Sequence, residues 1–375
     1  MLLVEPHSHF HHLFALVSRH LEGSAQAVES LKEPPIHLLT DFIKPRFAVI
    51  PGHEEKAFIP YSGAFKDIPN SSNHAVVSAR VTSVRADSVD IDRSFEGQQH
   101  IPFDYLVIAT GTRLTPPSMM PSDEKGPSVS FLQNHQAKAQ RAQSIVLVGG
   151  GAVGVQMALD LKERYPEKDI TVVQSRDRVM PQYHSDLHDI VVKSFQDAGI
   201  KYVESPFLDI SMQNILLTIV SRLITGNRVK IPSGGIPENG DKVQIELTNG
   251  DTLTTDMVIP ATGQTPNNGL VAQLAVSSGV SLVNPANGCI FVKPTLQLKS
   301  KKFPNIFSLG DIADTGSHKA ARPGAQQAGV VARNIVSMIE NGQPAEEFKP
   351  TPAAIHLSLG IVSIFNVCFE KTVRG

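Results

Sequence analysis

The sequence predicts an α/β protein with a mostly parallel, doubly wound architecture, in which one nucleotide-type fold is inserted into another. Three observations predict it. A β-branched run from Ser144 to Val148 passes directly into Gly149-Gly150-Gly151-Ala152-Val153-Gly154 and then into a helix-forming stretch. Two nearly matching turns, Ala109-Thr110-Gly111-Thr112 and Ala261-Thr262-Gly263-Gln264, end apolar strands on either side of that unit. A further apolar strand beginning at Asn305 ends in Gly310-Asp311.

The strand–glycine turn–helix unit is the context a dinucleotide fingerprint requires. Gly149 permits the tight turn, Gly151 lets backbone approach a pyrophosphate, and Gly154 lets the helix pack close to the strand. The free N–H groups and dipole of the helix N-terminus then face the phosphates. A second strand follows at Ile170-Thr171-Val172-Val173 and runs out into Gln174-Ser175-Arg176-Asp177-Arg178. An NAD site places a carboxylate at that tip to accept from the ribose 2′-hydroxyl. Here the tip lacks one, and the guanidinium forks of Arg176 and Arg178 suit a 2′-phosphate, which favours NADPH over NADH. The plain alternative is that both arginines are solvated loop charges, with Asp177 pairing one of them.

The remaining elements fall into groups that alternate strands with helices. Strands are expected over residues 2–4, 75–84, 88–91 and 106–109, then 201–203, 243–247 and 257–261, then 290–292 and 306–309, with a helix over 324–339. The Pro- and Gly-rich stretches 115–121 and 263–269 are the expected crossings between units. Each of the paired turns, at Thr110-Gly111 and at Gly263, places a small residue and a glycine where a strand ends.

Composition narrows the function classes. A chain of 375 residues with 34 Lys and Arg against 36 Asp and Glu has a net charge of -2, which advertises neither nucleic acid nor an anionic membrane as partner. The two cysteines, Cys289 and Cys368, exclude a disulfide framework and leave no C-x-x-C pair, in keeping with a reducing compartment. The start Met1-Leu2-Leu3-Val4-Glu5-Pro6 shows no signal-peptide pattern, and the most apolar window, 215–224, is interrupted by Arg222 and too short to span a bilayer. A cytoplasmic protein is expected, with membrane-associated or mitochondrial placement open if the true N-terminus lies elsewhere.

Taken together the motifs resemble the pyridine-nucleotide flavin oxidoreductases, in particular the apoptosis-inducing-factor-like branch that includes the ferroptosis-suppressor quinone reductases. The resemblance is carried by Val4-Glu5-Pro6 with Ser8-His9-Phe10-His11-His12, by Pro45-Arg46-Phe47 through Ala57-Phe58-Ile59-Pro60-Tyr61, by both turns and the glycine fingerprint, and by Gly310-Asp311 and His318-Lys319-Ala320-Ala321-Arg322-Pro323-Gly324. It implies a two-dinucleotide-binding-domain flavoprotein fold that takes FAD and NADPH or NADH. By resemblance, Glu5 would hold the adenosine ribose of FAD, Asp311 the ribityl chain, and Gln326 and Gln327, at a helix start, would face the flavin. Hydride would pass from NAD(P)H to FAD and electrons then to a quinone-like acceptor, with no side chain required as nucleophile. The missing C-x-x-C argues against a disulfide acceptor. The implied organisation is an FAD domain over 1–126, an NAD(P)H domain over 127–263, the second FAD part over 264–350 and a short C-terminal segment over 351–375.

The departures from the family pattern are equally specific. The first strand, glycine turn and helix of the FAD domain should precede Glu5, and their loss should expose the flanking sheet edges. Segments 16–44, 208–226 and 362–375 do not follow the family, and an imperfect gene sequence is the expected cause. Family members commonly carry Glu two residues after the third glycine, facing the nicotinamide, where this chain has Gln156 as its candidate catalytic residue. The alternative to an active enzyme is an NADPH-binding remnant that holds no FAD and does not turn over.

Other constellations carry less. His7, His9, His11 and His12 lack the geometry and thiolates of a metal site, so no metal is expected. His184 and His188 can share a helix face, but Asp186 and Asp189 suit a solvated surface. No G-x-S-x-G elbow argues for a hydrolase. The polar stretch 232–241 reads as a hairpin loop. A peripheral membrane contact and the oligomeric state stay open at this level.

Overall fold

The computed structural model describes residues 1–11, 45–66, 71–203, 221–231, 242–352, 354–361 and 364–368. Strand β1 (Leu2–Glu5) pairs in parallel with β2 (Ala75–Ser78), from Leu2 opposite Ala75 to Glu5 opposite Ser78. The single strand expected over 75–84 is in fact two. The Asp92 carboxylate accepts from the Arg80 N–H at 2.8 Å, which takes that donor out of the ladder. The chain then enters an antiparallel meander of β3 (Val81–Val84), β4 (Ser88–Phe95) and β5 (Gln98–Pro102). Strand β6 (Leu106–Ile108) follows.

Helix α1 (Lys125–Arg141) leads into the inserted unit, burying Val129, Leu132, Gln136 and Ala139. The sequence reading placed no helix there. Gly126 and Pro127 both fall in the first turn of α1, where proline's missing N–H has no helical partner to lose.

The inserted unit runs β7 (Ser144–Val148), α2 (Ala152–Arg164), β8 (Asp169–Val173), α3 (Ser185–Asp197), β9 (Lys201–Val203) and β10 (Arg222–Ile224). An antiparallel excursion of β11 (Val229–Lys230), β12 (Val243–Leu247) and β13 (Thr252–Thr255) precedes β14 (Met257–Pro260). Five of these strands form a parallel sheet in the order β9-β10-β8-β7-β14. Its interior strand β7, between β8 and β14, carries Ile145, Val146, Leu147 and Val148, all buried, as a strand covered on both faces requires.

Strand β10 corrects the reading of 208–226 as a stretch without strand period. Its three residues are too few to show alternation, yet Leu223 and Ile224 are buried between β8 and β9. Residues 208–220 of that stretch, the loop expected over 232–241, the insertion 16–44, and 369–375 at the end lie outside the described residues.

Thr112–Arg113, just before the expected crossing at 115–121, pairs antiparallel with Thr265–Pro266 within the expected crossing at 263–269, so the chain enters and leaves the inserted unit through one two-stranded neck. The outer unit then continues with α4 (Gly269–Ser278), β15 (Ile306–Ser308) in parallel register with β6, and the long helix α5 (Ala321–Asn341). Helix α5 begins three residues before the expected start at 324 and runs past the expected end at 339. A hairpin of β16 (Ala354–Ser358) and β17 (Ile364–Cys368) closes the described chain.

The outer parallel sheet consists of two pieces, β1–β2 and β6–β15. Both contribute to one apolar cluster, with Val77 and Ile108 in it and Val4 and Leu106 packed against it. Among the described residues β1 pairs with β2 alone and β6 with β15 alone, and Leu2, Leu3 and Val107 are 40%, 38% and 39% exposed. In the inserted unit β7 is seated between β8 and β14.

Candidate functional site

The glycine turn is built by contacts that leave no room for a side chain. Gly149 has φ +123, and a Cβ there would lie 2.4 Å from the Ala261 carbonyl oxygen. A Cβ on Gly154 would lie 1.8 Å from the Gly149 carbonyl oxygen. Gly151, the residue immediately before α2, faces open space. Two glycines thus let strand, turn and helix close on one another, and the third leaves free the approach to the helix N-terminus. The Gly149 N–H donates to the Val173 carbonyl at 2.8 Å, which fastens the turn to the end of β8.

The tip of β8 supports the turn in a way the sequence reading did not foresee. Gln174 is buried, its Oε1 accepts from the Gly150 N–H at 3.1 Å, and its Nε2 donates to the Arg178 carbonyl at 3.0 Å. Its position directly after an apolar strand and close in space to a glycine turn was the available signal. Arg176 is exposed, whereas Arg178 is half-buried and donates to the Pro181 carbonyl at 3.2 Å.

Gln156 lies one turn into α2. It is buried, and its Nε2 donates to the Ser358 hydroxyl of β16 at 3.1 Å. The sequence reading gives Ser358 no role, since nothing in its neighbours His356–Gly360 sets this serine apart.

The paired turns meet at the neck. The Thr110 hydroxyl donates to the Asn267 carbonyl at 2.8 Å, Asn267 Nδ2 donates to the Thr110 carbonyl at 2.9 Å, and the Asn267 N–H donates to the Gly111 carbonyl at 3.0 Å. Gly111 adopts φ +59, which favours glycine, and Gly263 is exposed with open space around it. Asn267 therefore makes the two strand ends one structure.

At the end of β15, Gly310 has φ +75 and its N–H donates to Gln327 Oε1 at 2.7 Å. Gln327 is buried and also donates to the Thr315 hydroxyl, whereas Gln326 is exposed. Because α5 starts at Ala321, Gln326 sits in its second turn rather than at its start. Burial pushes the Asp311 carboxyl above the ordinary aspartate range, while Lys319 and His318 pull it back. Nearby, the Ser317 hydroxyl is buried with no hydrogen-bond partner among the described residues. An acidic side chain and an unsatisfied hydroxyl beside a glycine turn fit the polyol chain and ring edge of a flavin.

Glu5 ends β1, and its carboxylate accepts from the His7 N–H at 3.1 Å and meets His7 Nδ1 at 2.5 Å. The hydrogen bond to Glu5 raises the His7 pKa, and Asp123, 3.5 Å from Nε2, adds to it, against the opposing effect of partial burial. Among the described residues no group of histidines, cysteines and carboxylates is arranged to hold a metal ion. Nor is any helix there long and apolar enough to cross a membrane.

Two nucleotide units joined through a single neck, with a glycine fingerprint in one and a strand-end Gly-Asp in the other, define a two-dinucleotide-binding oxidoreductase. The chain belongs to the pyridine nucleotide-disulphide oxidoreductase family, whose profile matches residues 2–330. It is 33% identical over 337 residues to Fe-regulated protein 8 of Mycosarcoma maydis, covering 84% of this chain and 76% of that protein. It is 28% identical over 321 residues to ferroptosis suppressor protein 1 of Mus musculus, covering 84% and 75%. The ferredoxin reductase for the CYP199A2 system of Rhodopseudomonas palustris shares the fold, with a TM-score of 0.58 at 18% identity, over 84% of this chain and 70% of that one. The chain is thus an NAD(P)H-dependent flavin oxidoreductase of the apoptosis-inducing-factor-like and ferroptosis-suppressor group, and its cofactors are FAD and a nicotinamide dinucleotide.

Proposed function

We propose that this chain reduces a small quinone-like acceptor with electrons from NAD(P)H, with FAD between them. When bound, FAD would supply the redox chemistry that connects the nicotinamide with the acceptor. The protein's own part is placement. Gly149, Gly151 and Gly154 with the N-terminus of α2 would receive the dinucleotide pyrophosphate, and Arg176 and Arg178 lie at the adenosine end. Gln156, held by Ser358, would fix the carboxamide side of the nicotinamide as a positioning residue. Asp311 and the Gly310 turn would hold the flavin's polyol chain, with Glu5 at the ribose, and Thr110, Gly111 and Gly263 would line the neck between the two nucleotides.

The observation that carries the choice of acceptor is the cysteine inventory. The sequence holds only Cys289 and Cys368, far apart in sequence, and Cys289 is buried. No C-x-x-C pair stands ready to relay electrons to a disulfide, so a diffusible acceptor that meets the flavin directly is the simpler reading. A reducing, cytoplasmic setting and a peripheral membrane contact belong to the same proposal.

The test is a visible absorption spectrum of the purified chain, followed by anaerobic NADPH and then a water-soluble quinone or a disulfide. Yellow protein that bleaches with NADPH and recolours with the quinone supports the reading. Recolouring only with the disulfide would overturn the acceptor. Colourless protein that binds NADPH but takes up no FAD would support the turnover-free alternative.

A further inference from the structure

We propose that the inserted unit selects the 2′-phosphorylated dinucleotide, NADPH, over NADH, and that Arg228 joins Arg176 in making that selection. The inference rests on the NAD(P)H reading above and deepens it.

Two features of the β8 tip matter. The first is the side chain standing where a ribose-binding carboxylate would be. Gln174 is neutral, 6% exposed, and both ends of its amide are engaged with the backbone of Gly150 and Arg178. The tip therefore presents no acceptor of negative charge to bond a 2′-hydroxyl, and none to repel a 2′-phosphate.

The second feature is the turn that follows β10. Its backbone is stitched to the tip by three hydrogen bonds. The Gln174 N–H donates to the Ile224 carbonyl at 2.7 Å, the Asn227 N–H to the Gln174 carbonyl at 3.1 Å, and the Gly226 N–H to the Arg176 carbonyl at 2.9 Å. Gly226, at φ +67, turns the chain there. Asn227 is buried and its Oδ1 receives the Thr248 hydroxyl and the Asn249 N–H, which fixes the turn from behind. Arg228 comes next, exposed, on a segment thus held against the tip.

The charges there are left available. Neither the Arg176 nor the Arg228 guanidinium has an ion pair or hydrogen bond among the described residues, although Lys230 beside them is paired with Glu246. Arg178 differs, since it is half-buried and committed to the Pro181 carbonyl. Asp177 is the one carboxylate in the 174–178 loop and is outnumbered by the two free arginines. Two unpaired guanidinium groups on mutually bonded segments suit a dianionic phosphate, to which each fork donates charge-assisted hydrogen bonds. Arg178 is assigned instead to shaping the loop.

The test is calorimetric titration of the full chain with adenosine 2′,5′-bisphosphate and with AMP, which needs neither bound flavin nor turnover. The expected result is a preference for the bisphosphate of about a hundredfold, with Arg176→Ala and Arg228→Ala each cutting it about tenfold and leaving AMP affinity unchanged. Both residues are exposed, so the thermal midpoint of each variant should match the parent. Equal affinity for the two ligands, or tighter binding of AMP, would overturn the selection while leaving the nucleotide site intact. An unchanged ratio in Arg228→Ala would overturn that residue's role. Failure of both ligands and of NADH and NADPH to bind would overturn the NAD(P)H reading itself, and this inference with it.

Discussion

Arg46 and Asp160 form a buried, two-pronged ion pair that fastens the outer unit to helix α2 of the inserted one. Arg46 Nη2 lies 2.8 Å from Asp160 Oδ1 and Nε lies 3.2 Å from Oδ2, with the side chains 5% and 0% exposed. The remaining donors are used as well, since Nη2 and Nη1 reach the carbonyls of Gly360 and Ile361 at 3.1 and 3.4 Å. One guanidinium therefore ties the 45–48 turn, α2 and the segment after β16 together. The pair lies one helical turn beyond Gln156, itself bonded to β16, so the same contact region holds the candidate nicotinamide-facing residue in place.

A buried pair of this kind costs desolvation that its partners largely offset, and removing one member leaves the other charge stranded. Arg46→Met is expected to destabilise the chain by about 3–5 kcal/mol. The double variant Arg46→Met, Asp160→Leu should recover most of that loss, because no buried charge is then left uncompensated. Urea denaturation of the three proteins measures both values. A double variant no more stable than Arg46→Met would show that the pair is not coupled as described.

Asp311 gives a prediction of the opposite sign. Burial raises its folded-state pKa above the unfolded value, so its contribution to stability is full below the unfolded pKa and is lost as pH rises through the folded one. At neutral pH the ionised carboxylate is a liability in the flavin-free protein. Asp311→Asn is expected to raise the flavin-free thermal midpoint while weakening FAD retention, measured by flavin release on gel filtration. A lower midpoint with unchanged retention would remove Asp311 from the flavin site.

The parts of this molecule legible in the sequence were those set by local backbone demands. The 149–154 turn, the paired strand ends and Gly310-Asp311 each need glycine or a small residue at one position, and each stood out for that reason. Contacts between distant segments did not show. Nothing local marks Asn267 as the tie across the neck, Gln327 as the support of Gly310, or Ser358 as the partner of Gln156, since each is an ordinary polar residue until the chain folds. The helix over 125–141 has an apolar face interrupted by polar residues, and β10 is only three residues long, so neither shows a clear period.

His7 yields a pH dependence. The hydrogen bond to Glu5 raises its folded-state pKa above 6.5, so the interaction contributes fully below that value and is lost as pH rises through the raised pKa. Stability should therefore fall on going from mildly acidic to mildly alkaline buffer. His7→Gln should flatten that decline. Melting curves at several pH values decide the matter, and a parallel decline in the variant would locate the titrating group elsewhere.

Gln156 separates placement from binding. If it positions the nicotinamide, Gln156→Ala should slow flavin reduction by NADPH about ten- to a hundredfold, while leaving the affinity for AMP unchanged. Ser358→Ala, which releases the Gln156 amide without deleting it, should give a smaller slowing in the same direction. Stopped-flow bleaching of the flavin measures both. An unchanged rate in Gln156→Ala, with only a loss of stability, would make the residue a packing element between α2 and β16.

The glycine turn offers the sharpest contrast, because two of its glycines are required for different reasons. A methyl group on Gly154 would sit 1.8 Å from the Gly149 carbonyl oxygen, inside any permitted contact, and the obstacle is backbone that cannot rotate away. Gly154→Ala must push α2 off the strand end, and a destabilisation of about 1–3 kcal/mol or more is expected from such overpacking. A methyl group on Gly151 meets nothing within 4 Å, and its φ of -80 is open to any residue. Gly151→Ala should fold with the parent's thermal midpoint. Its methyl group would nonetheless occupy the space in front of the helix N-terminus, where a pyrophosphate must approach the free N–H groups. The expected phenotype is unaltered melting with NADPH affinity lowered at least about tenfold, read by calorimetry. If Gly151→Ala bound NADPH like the parent, the phosphates would have to lie elsewhere, and the open face of this turn would lose its assignment as their site.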